Sequence, residues 1–277
     1  LVSTNKPGEK TLTGTFFIDR ADNEVTVADK TVVLGGSVQP KTTNKAGAAV
    51  TYTYYADADC TTALETAPTK VGTYYVKATS IATTNYNEAT SNVAKVVVVP
   101  GKVKMLGTSR TASSVKLNWN KATGATSYRV YYKAPGAKSY KVFKNTTATS
   151  MNVTGLASAT TYTFAVKAYA KTAGYSTVYA TKQTTTAPAK VATPSVTAGS
   201  KKATVKFTKV ARATGYQIYM AKGNGKYVKV KTTTSTSFTK IGLAKGATYK
   251  FKVRAYKTVG SNTYYGAFSS VKAVVVK

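Results

Sequence analysis

A tandem of three antiparallel β-sandwiches, all-β throughout and extended into an elongated array, is the fold class this 277-residue sequence predicts. Three observations predict it. Apolar and polar residues alternate with a period of two, no segment carries the 3.6-residue period of a helix, and Gly, Pro, Asn and Ser cluster between the alternating runs. In chain order the strongest runs are Val50-Thr51-Tyr52-Thr53-Tyr54-Tyr55, Thr73-Tyr74-Tyr75-Val76-Lys77-Ala78, Val115-Lys116-Leu117-Asn118-Trp119, Tyr128-Arg129-Val130-Tyr131-Tyr132 and Tyr162-Thr163-Phe164-Ala165-Val166-Lys167-Ala168. Each is rich in β-branched and aromatic residues, which fit a pleated, half-buried surface. About seven such strands per ~90–100 residues is the density of a two-sheet sandwich.

Charge divides the chain. All nine acidic residues, from Glu9 to Glu88, precede position 89, and nine of the 40 basic residues lie in residues 1–100. The other 31 follow Gly101 and supply the whole net charge of +31. A break this abrupt marks a boundary at Pro100-Gly101, and the polar run Thr184-Thr185-Thr186-Ala187-Pro188 marks a second. The predicted domains are therefore 1–100, 101–188 and 189–277. The last two repeat each other: Trp119 aligns with Phe207 and Tyr128 with Tyr216, 88 positions apart, and Leu156 with Leu243 and Tyr162 with Tyr249, 87 apart. Periods this long mean duplication of a whole domain, since solenoid repeats run ~20–50 residues.

Composition also removes function classes. With no His, Ser-His and Cys-His catalysis and His-ligated metals are excluded, and a single Cys permits no intramolecular disulfide and no Cys-rich metal site. The longest aliphatic run, Val96-Val97-Val98-Val99, is too short to span a bilayer, and the chain reads as an excised fragment of a longer protein.

Residues 101–188 and 189–277 resemble fibronectin type III modules. Trp119 and Phe207 stand on the second strand, Tyr128 and Tyr216 on the third. The segments Gly155-Leu156 to Tyr162 and Gly242-Leu243 to Tyr249 are similar to that family's tyrosine corner. The resemblance implies that Leu156 and Leu243 plug the cores while Tyr162 and Tyr249 send a hydroxyl back to a backbone carbonyl. Ser158 and Lys245 stand where the family usually has Pro. Residues 1–100 resemble a bacterial immunoglobulin-like repeat, on Val50 to Asp57, Pro68 to Ala78 and Asn85-Tyr86-Asn87. Such repeats occur in secreted or wall-attached proteins of Gram-positive bacteria, so the resemblance implies an extracellular, cell-wall-associated location. Neither module family fixes a function by itself.

Candidate catalytic and metal sites are few. Asp57 and Asp59 offer two carboxylates where Ca²⁺ takes six to eight oxygens, so a solvated loop is expected there, with Cys60 a semi-buried small apolar residue. Glycoside hydrolysis needs two carboxylates across a cleft. The two C-terminal modules have no acid, and Asp19, Asp22 and Glu24 sit in a polar connecting run. The same lack of acid excludes self-formed Lys–Asn isopeptide bonds after Glu88. No catalytic residue, metal or cofactor is expected.

The basic half carries the functional expectation. Its cations comprise 27 Lys and four Arg, a bias toward hydrated point charges and away from bidentate base reading. In Lys250-Phe251-Lys252-Val253-Arg254, inward Phe251 and Val253 leave Lys250, Lys252 and Arg254 on one outward face at ~7 Å intervals. Lys229 and Lys231 on a neighbouring strand, with Tyr219, extend it into a basic face containing an aromatic. Tyr131 and Tyr219 have outward parity and are expected to face solvent; the preceding module offers only Thr161, Thr163, Ala165 and Lys167, so the face is expected to be strongest in the last module. The expected function is a non-catalytic surface stalk or adhesive segment, a monomer, binding an anionic polysaccharide or cell-wall polymer, sulfated glycan, mucin or extracellular DNA. Host glycans or proteins are further candidate partners. An accessory spacer or carbohydrate-binding region of a larger extracellular hydrolase is the alternative, and a lysine coat that merely protects sheet edges is the plain one.

Overall fold

The computed structural model describes residues 18–277, so Glu9 lies outside the described residues. Among them there is no helix, hence none long and apolar enough to cross a membrane. The described residues form two compact units that divide between Val98 and Val99. The strands pair antiparallel in β-ladders such as those joining Tyr54 to Val76 and Val130 to Val166.

In the first unit, strands β1 (Val25–Val27), β2 (Lys30–Val33), β3 (Thr42–Asn44), β4 (Val50–Tyr55), β5 (Gly72–Ser80), β6 (Ala89–Thr90) and β7 (Ala94–Val99) make two sheets. One pairs β1 with β3; the other runs β2-β7-β5-β4, with β6 on β5. The alternation in β5 and β7 sends Val76, Ala78, Val96 and Val98 inward against Val25 and Val27 of the small sheet. Asn92 ties the sheets together: its Oδ1 accepts from the Val27 N–H at 3.0 Å and its Nδ2 donates to the Val27 carbonyl at 3.0 Å.

The second unit holds two separate cores of the same design. Strands β8 (Met105–Arg110), β9 (Val115–Trp119), β10 (Ser127–Lys133), β11 (Lys141–Thr146), β12 (Ser150–Val153), β13 (Thr161–Ala170), β14 (Gly174–Tyr175) and β15 (Ala180–Thr185) form sheets ordered β12-β9-β8 and β11-β10-β13-β14, with β15 also on β13. Strands β16 (Ser195–Gly199), β17 (Lys202–Lys206), β18 (Gly215–Lys222), β19 (Val228–Thr233), β20 (Ser237–Ile241), β21 (Thr248–Val259), β22 (Asn262–Tyr265) and β23 (Lys272–Val275) repeat it as β20-β17-β16 and β19-β18-β21-β22, with β23 on β21. Even the bulge recurs, between Val130 and Tyr131 and between Ile218 and Tyr219.

The paired positions read from the repeat do the same work in both cores. Trp119 packs edge-on against Tyr128 at 5.6 Å and Phe207 against Tyr216 at 4.8 Å. Leu156 and Leu243 are buried plugs. The corner tyrosines differ from expectation in one respect. The hydroxyl oxygens of Tyr162 and Tyr249 accept from the Ala157 and Ala244 N–H groups, at 3.0 and 3.1 Å, because the corner turns an amide toward each ring. The corner itself requires a positive φ, supplied by Gly246 (77°) in the last module and by Ala159 (49°) in the first.

The run Thr184 to Pro188, expected from composition to be a polar connection, is buried. The Thr186 Oγ1 donates to the Ala157 carbonyl at 2.7 Å, and the Ala187 N–H donates to the Thr111 carbonyl at 2.9 Å. Beyond it, a Cβ on Gly266 would stand 2.7 Å from the Pro188 carbonyl oxygen and 3.3 Å from that of Ala189, so only glycine admits the chain there. Across the same joint the Arg110 guanidinium lies 4.8 Å from the Tyr264 ring centroid. Hydrogen bonding offsets the polarity of the run: the Thr186 hydroxyl has a backbone partner, and the Thr185 hydroxyl pairs with that of Thr161 at 2.8 Å.

Candidate functional site

Strand β21 alternates as its sequence dictates. Tyr249, Phe251, Val253 and Ala255 are buried, and Lys250, Lys252 and Arg254 project half-exposed from the other face. Register sets their neighbours: Lys250 faces Ala221, Lys252 faces Tyr219, and Arg254 faces Gln217. The three cations are in one row, but none is a loose surface charge. Lys250 Nζ donates to Asn224 Oδ1 at 2.8 Å. Lys252 Nζ lies between two rings, 4.1 Å from the Tyr227 centroid and 4.3 Å from that of Phe268. Arg254 donates from Nε and Nη2 to Gln217 Oε1 at 2.9 and 2.8 Å and from Nη2 to the Tyr219 hydroxyl at 3.2 Å, with its guanidinium 4.1 Å from the Tyr265 centroid.

Two expectations change here. Tyr219 is not an open platform: it is half-buried, edge-on to Phe268 at 5.0 Å, and its hydroxyl bonds to Gln217 Oε1. The bulge also separates the two lysines of β19. Lys229 sits opposite outward Tyr219, whereas Lys231 sits opposite inward Ile218, out of step with the row. Both are exposed.

The first copy carries a cationic face of its own, beyond the single Lys167 that its matching strand offers in sequence. Arg129 lies 4.6 Å from the Tyr175 centroid, Lys133 5.3 Å from Tyr140, and Lys167 4.4 Å from Tyr179. Tyr131, also expected to be open, is half-buried and edge-on to Tyr179 at 5.2 Å, while Tyr140 stacks on Tyr179 at 5.2 Å. Ala165 points outward opposite Tyr131 yet is fully buried, which is how the ring layer closes over the sheet. Burial, then the neighbouring Tyr179, pushes the Tyr131 and Tyr140 phenols above their ordinary range, so both remain protonated donors.

Sequence reasoning missed Gln217, Tyr227, Tyr265 and Phe268, and Tyr140, Tyr175 and Tyr179. Most of these rings enter from turns and short strand ends where alternation says nothing. The duplication held a signal for them: Tyr140 and Tyr227 lie 87 positions apart, Tyr179 and Phe268 89 apart. Chemically each face presents cations held on ring faces and on amide oxygens, with no carboxylate to neutralise them.

The Asp57 loop is structural. Asp57 accepts from the Thr61 N–H at 2.9 Å and the Thr62 N–H at 2.8 Å, which lowers its carboxyl to about 2, the Thr61 amide contributing most. Cys60 sits in the turn this creates at a φ of 56° and donates its thiol to the Ala58 carbonyl at 3.7 Å. No cluster of metal-ligating side chains occurs among the described residues.

Residues 99–183 match the model of the fibronectin type III domain. The chain is 33% identical over 192 residues to chitinase A1 of Niallia circulans, covering 63% of this chain and 25% of that protein. It is 30% identical over 218 residues to exoglucanase B of Cellulomonas fimi, covering 71% of this chain and 19% of that one. The chain thus spans a quarter or less of the length of these relatives. Among solved structures it is similar to a two-domain fibronectin type III segment of chicken tenascin (19% identity, TM-score 0.42, 64% of this chain and 99% of that one). It is also similar to the FN1–FN3 domains of chicken CNTN1 (17%, 0.36, 74% and 78%). An all-β chain with a repeated two-sheet core and this match carries a fibronectin type III domain over residues 99–183.

Proposed function

We propose that this chain is a non-catalytic binding region of an extracellular, wall-associated protein of a Gram-positive bacterium, in which residues 101–277 attach to anionic polymers. In this reading residues 1–100 are a bacterial immunoglobulin-like repeat and residues 189–277 a second fibronectin type III module. The observation that carries it is the charge balance: 31 basic and no acidic side chains after Gly101, with cations satisfied by Asn145, Gln217 and Asn224 oxygens and by rings, none of which cancels charge. Such a surface generates a long-range field that concentrates polyanions, and binding releases their condensed counterions. The test is binding of the chain to dextran sulfate and to neutral dextran across a NaCl series. The reading requires selective binding to the sulfated polymer, with log affinity falling linearly as log salt rises. Equal binding to both, or affinity independent of salt, overturns it.

A second reading is supported by the matches to a chitinase and an exoglucanase: the chain is an accessory region of a larger secreted polysaccharide hydrolase whose catalytic domain lies elsewhere. The two readings are compatible, and a hydrolase domain in the same gene would favour the second.

A further inference from the structure

We infer that the outer face of the β10–β13 sheet, built on Arg129, Lys133 and Lys167, is a binding site for an acidic polysaccharide, one whose sugar rings carry carboxylate or sulfate. The inference rests on the anionic-polymer reading above and adds a place and a ligand class. Arg129 and Lys167 are direct cross-strand partners, so folding sets two like charges side by side, an arrangement that opposes pairing unless something else compensates it. Here the compensation is aromatic and amide, not carboxylate: Arg129 lies on Tyr175 with its Nε on Asn145 Oδ1 at 2.8 Å, and Lys167 lies on Tyr179. Each cation keeps its full charge, and a lysine held on a ring retains N–H donors turned away from it. Side-chain freedom that binding would otherwise remove is already restricted, so an incoming oxyanion meets a prepared site.

The rings decide the ligand class. Unspecific single-stranded nucleic-acid binding uses open aromatic faces on which bases stack. Here the Tyr175 face carries Arg129, the Tyr140 face carries Lys133, and Tyr179 has both Lys167 and Tyr140 upon it. A base stacking on those covered faces would have to displace a cation or a ring of the protein itself. What the face offers a ligand is ammonium and guanidinium N–H groups beside the protonated phenol hydroxyls of Tyr131 and Tyr140. That combination suits a polymer with one anionic group and several hydroxyls per unit.

The test uses the whole chain with polygalacturonate, dextran sulfate and poly(dT) as probes at fixed salt, on variants whose folding is checked by thermal unfolding. R129Q/K133Q/K167Q is compared with K102Q/K104Q/K116Q, which removes the same charge from elsewhere in the same module. The inference expects the first triple to lose roughly tenfold more affinity for polygalacturonate and dextran sulfate than the second. Y140A/Y179A, which preserves charge, is expected to weaken polygalacturonate binding severalfold and leave poly(dT) unchanged. Equal losses from the two triples, with salt-dependent binding of the unaltered chain intact, overturn this site and leave the broader reading standing. Failure of the unaltered chain to bind any of the three probes at low salt overturns both. Tighter binding of poly(dT) than of either polysaccharide, lost in R129Q/K133Q/K167Q, makes the partner a nucleic acid and overturns the ligand assigned here.

Discussion

The outer sheet faces of the two cores in residues 99–277 share a backbone, a bulge and a set of rings, yet they distribute their cations differently. Where the first has Arg129 opposite Lys167, the last has Gln217 opposite Arg254. Where the first has buried Ala165, the last has Lys252 between Tyr227 and Phe268. In the first face the rings close directly over the sheet; in the last a lysine is inserted among them. Positive charge on the face is therefore preserved while the residues that carry it change. The layer of rings is the constant element, since it shields long cationic side chains from water without neutralising them.

The comparison is most severely tested in the cores. Phe164 and Phe251 are fully buried at equivalent places in β13 and β21. Truncating either to Ala is expected to cost about 3–5 kcal/mol in denaturant unfolding of the chain, and a loss confined to one of them would break the equivalence of the two cores. A smaller effect separates the corners. Gly246→Ala forces an L-residue into a left-handed φ where its Cβ would touch nothing, so a destabilisation of about 1 kcal/mol is expected. Ala159→Gly should be close to neutral, because relief at φ 49° is offset by the loss of a buried methyl and by added freedom in the unfolded chain. Urea midpoints of the two variants measure the contrast. The smallest effect belongs to the acid-bearing first unit, whose Asp57 carboxyl stands at about 2 when folded against an ordinary ~3.9. A depressed carboxylate stabilises above its unfolded pKa and ceases to do so as pH falls through the folded one. The contribution of Asp57 is thus complete above about pH 4 and fades toward pH 2. Asp57→Asn should flatten unfolding midpoints measured over that window, and an unchanged slope would refute the role given to the Thr61 and Thr62 amides.

Much of this was legible in the chain. Period-two alternation gives β21 its inward and outward rows correctly, and the 87–88-residue repeat pairs Trp119 with Phe207 and Tyr162 with Tyr249 in the same structural roles. The failures have a common cause. Alternation predicts which side of its own strand a residue faces, not what arrives from another segment to cover it. Tyr131 and Tyr219 do face outward, but Tyr179 and Phe268 come in just ahead of β15 and β23 and close over them. Lys231 slipped from its expected row because a bulge adds one residue to β19, which no single-strand pattern encodes. The direction of the corner hydrogen bond depends on which end of a peptide unit a turn presents, a choice below the resolution of residue type.

The close approach at Gly266 has a consequence for valency. Because the carbonyls of Pro188 and Ala189 leave no room for a side chain there, and Arg110 rests on Tyr264 across the same joint, the separation of the two cationic faces is set by packing and not by a slack tether. A polymer long enough to reach from one face to the other would then meet its second site at an effective concentration fixed by that geometry, so overall avidity could exceed the strength of either face without any new contact. A side chain at position 266 would disturb this joint, and on the binding proposed above the expected result is weaker avidity for long polymers with little change for short ones.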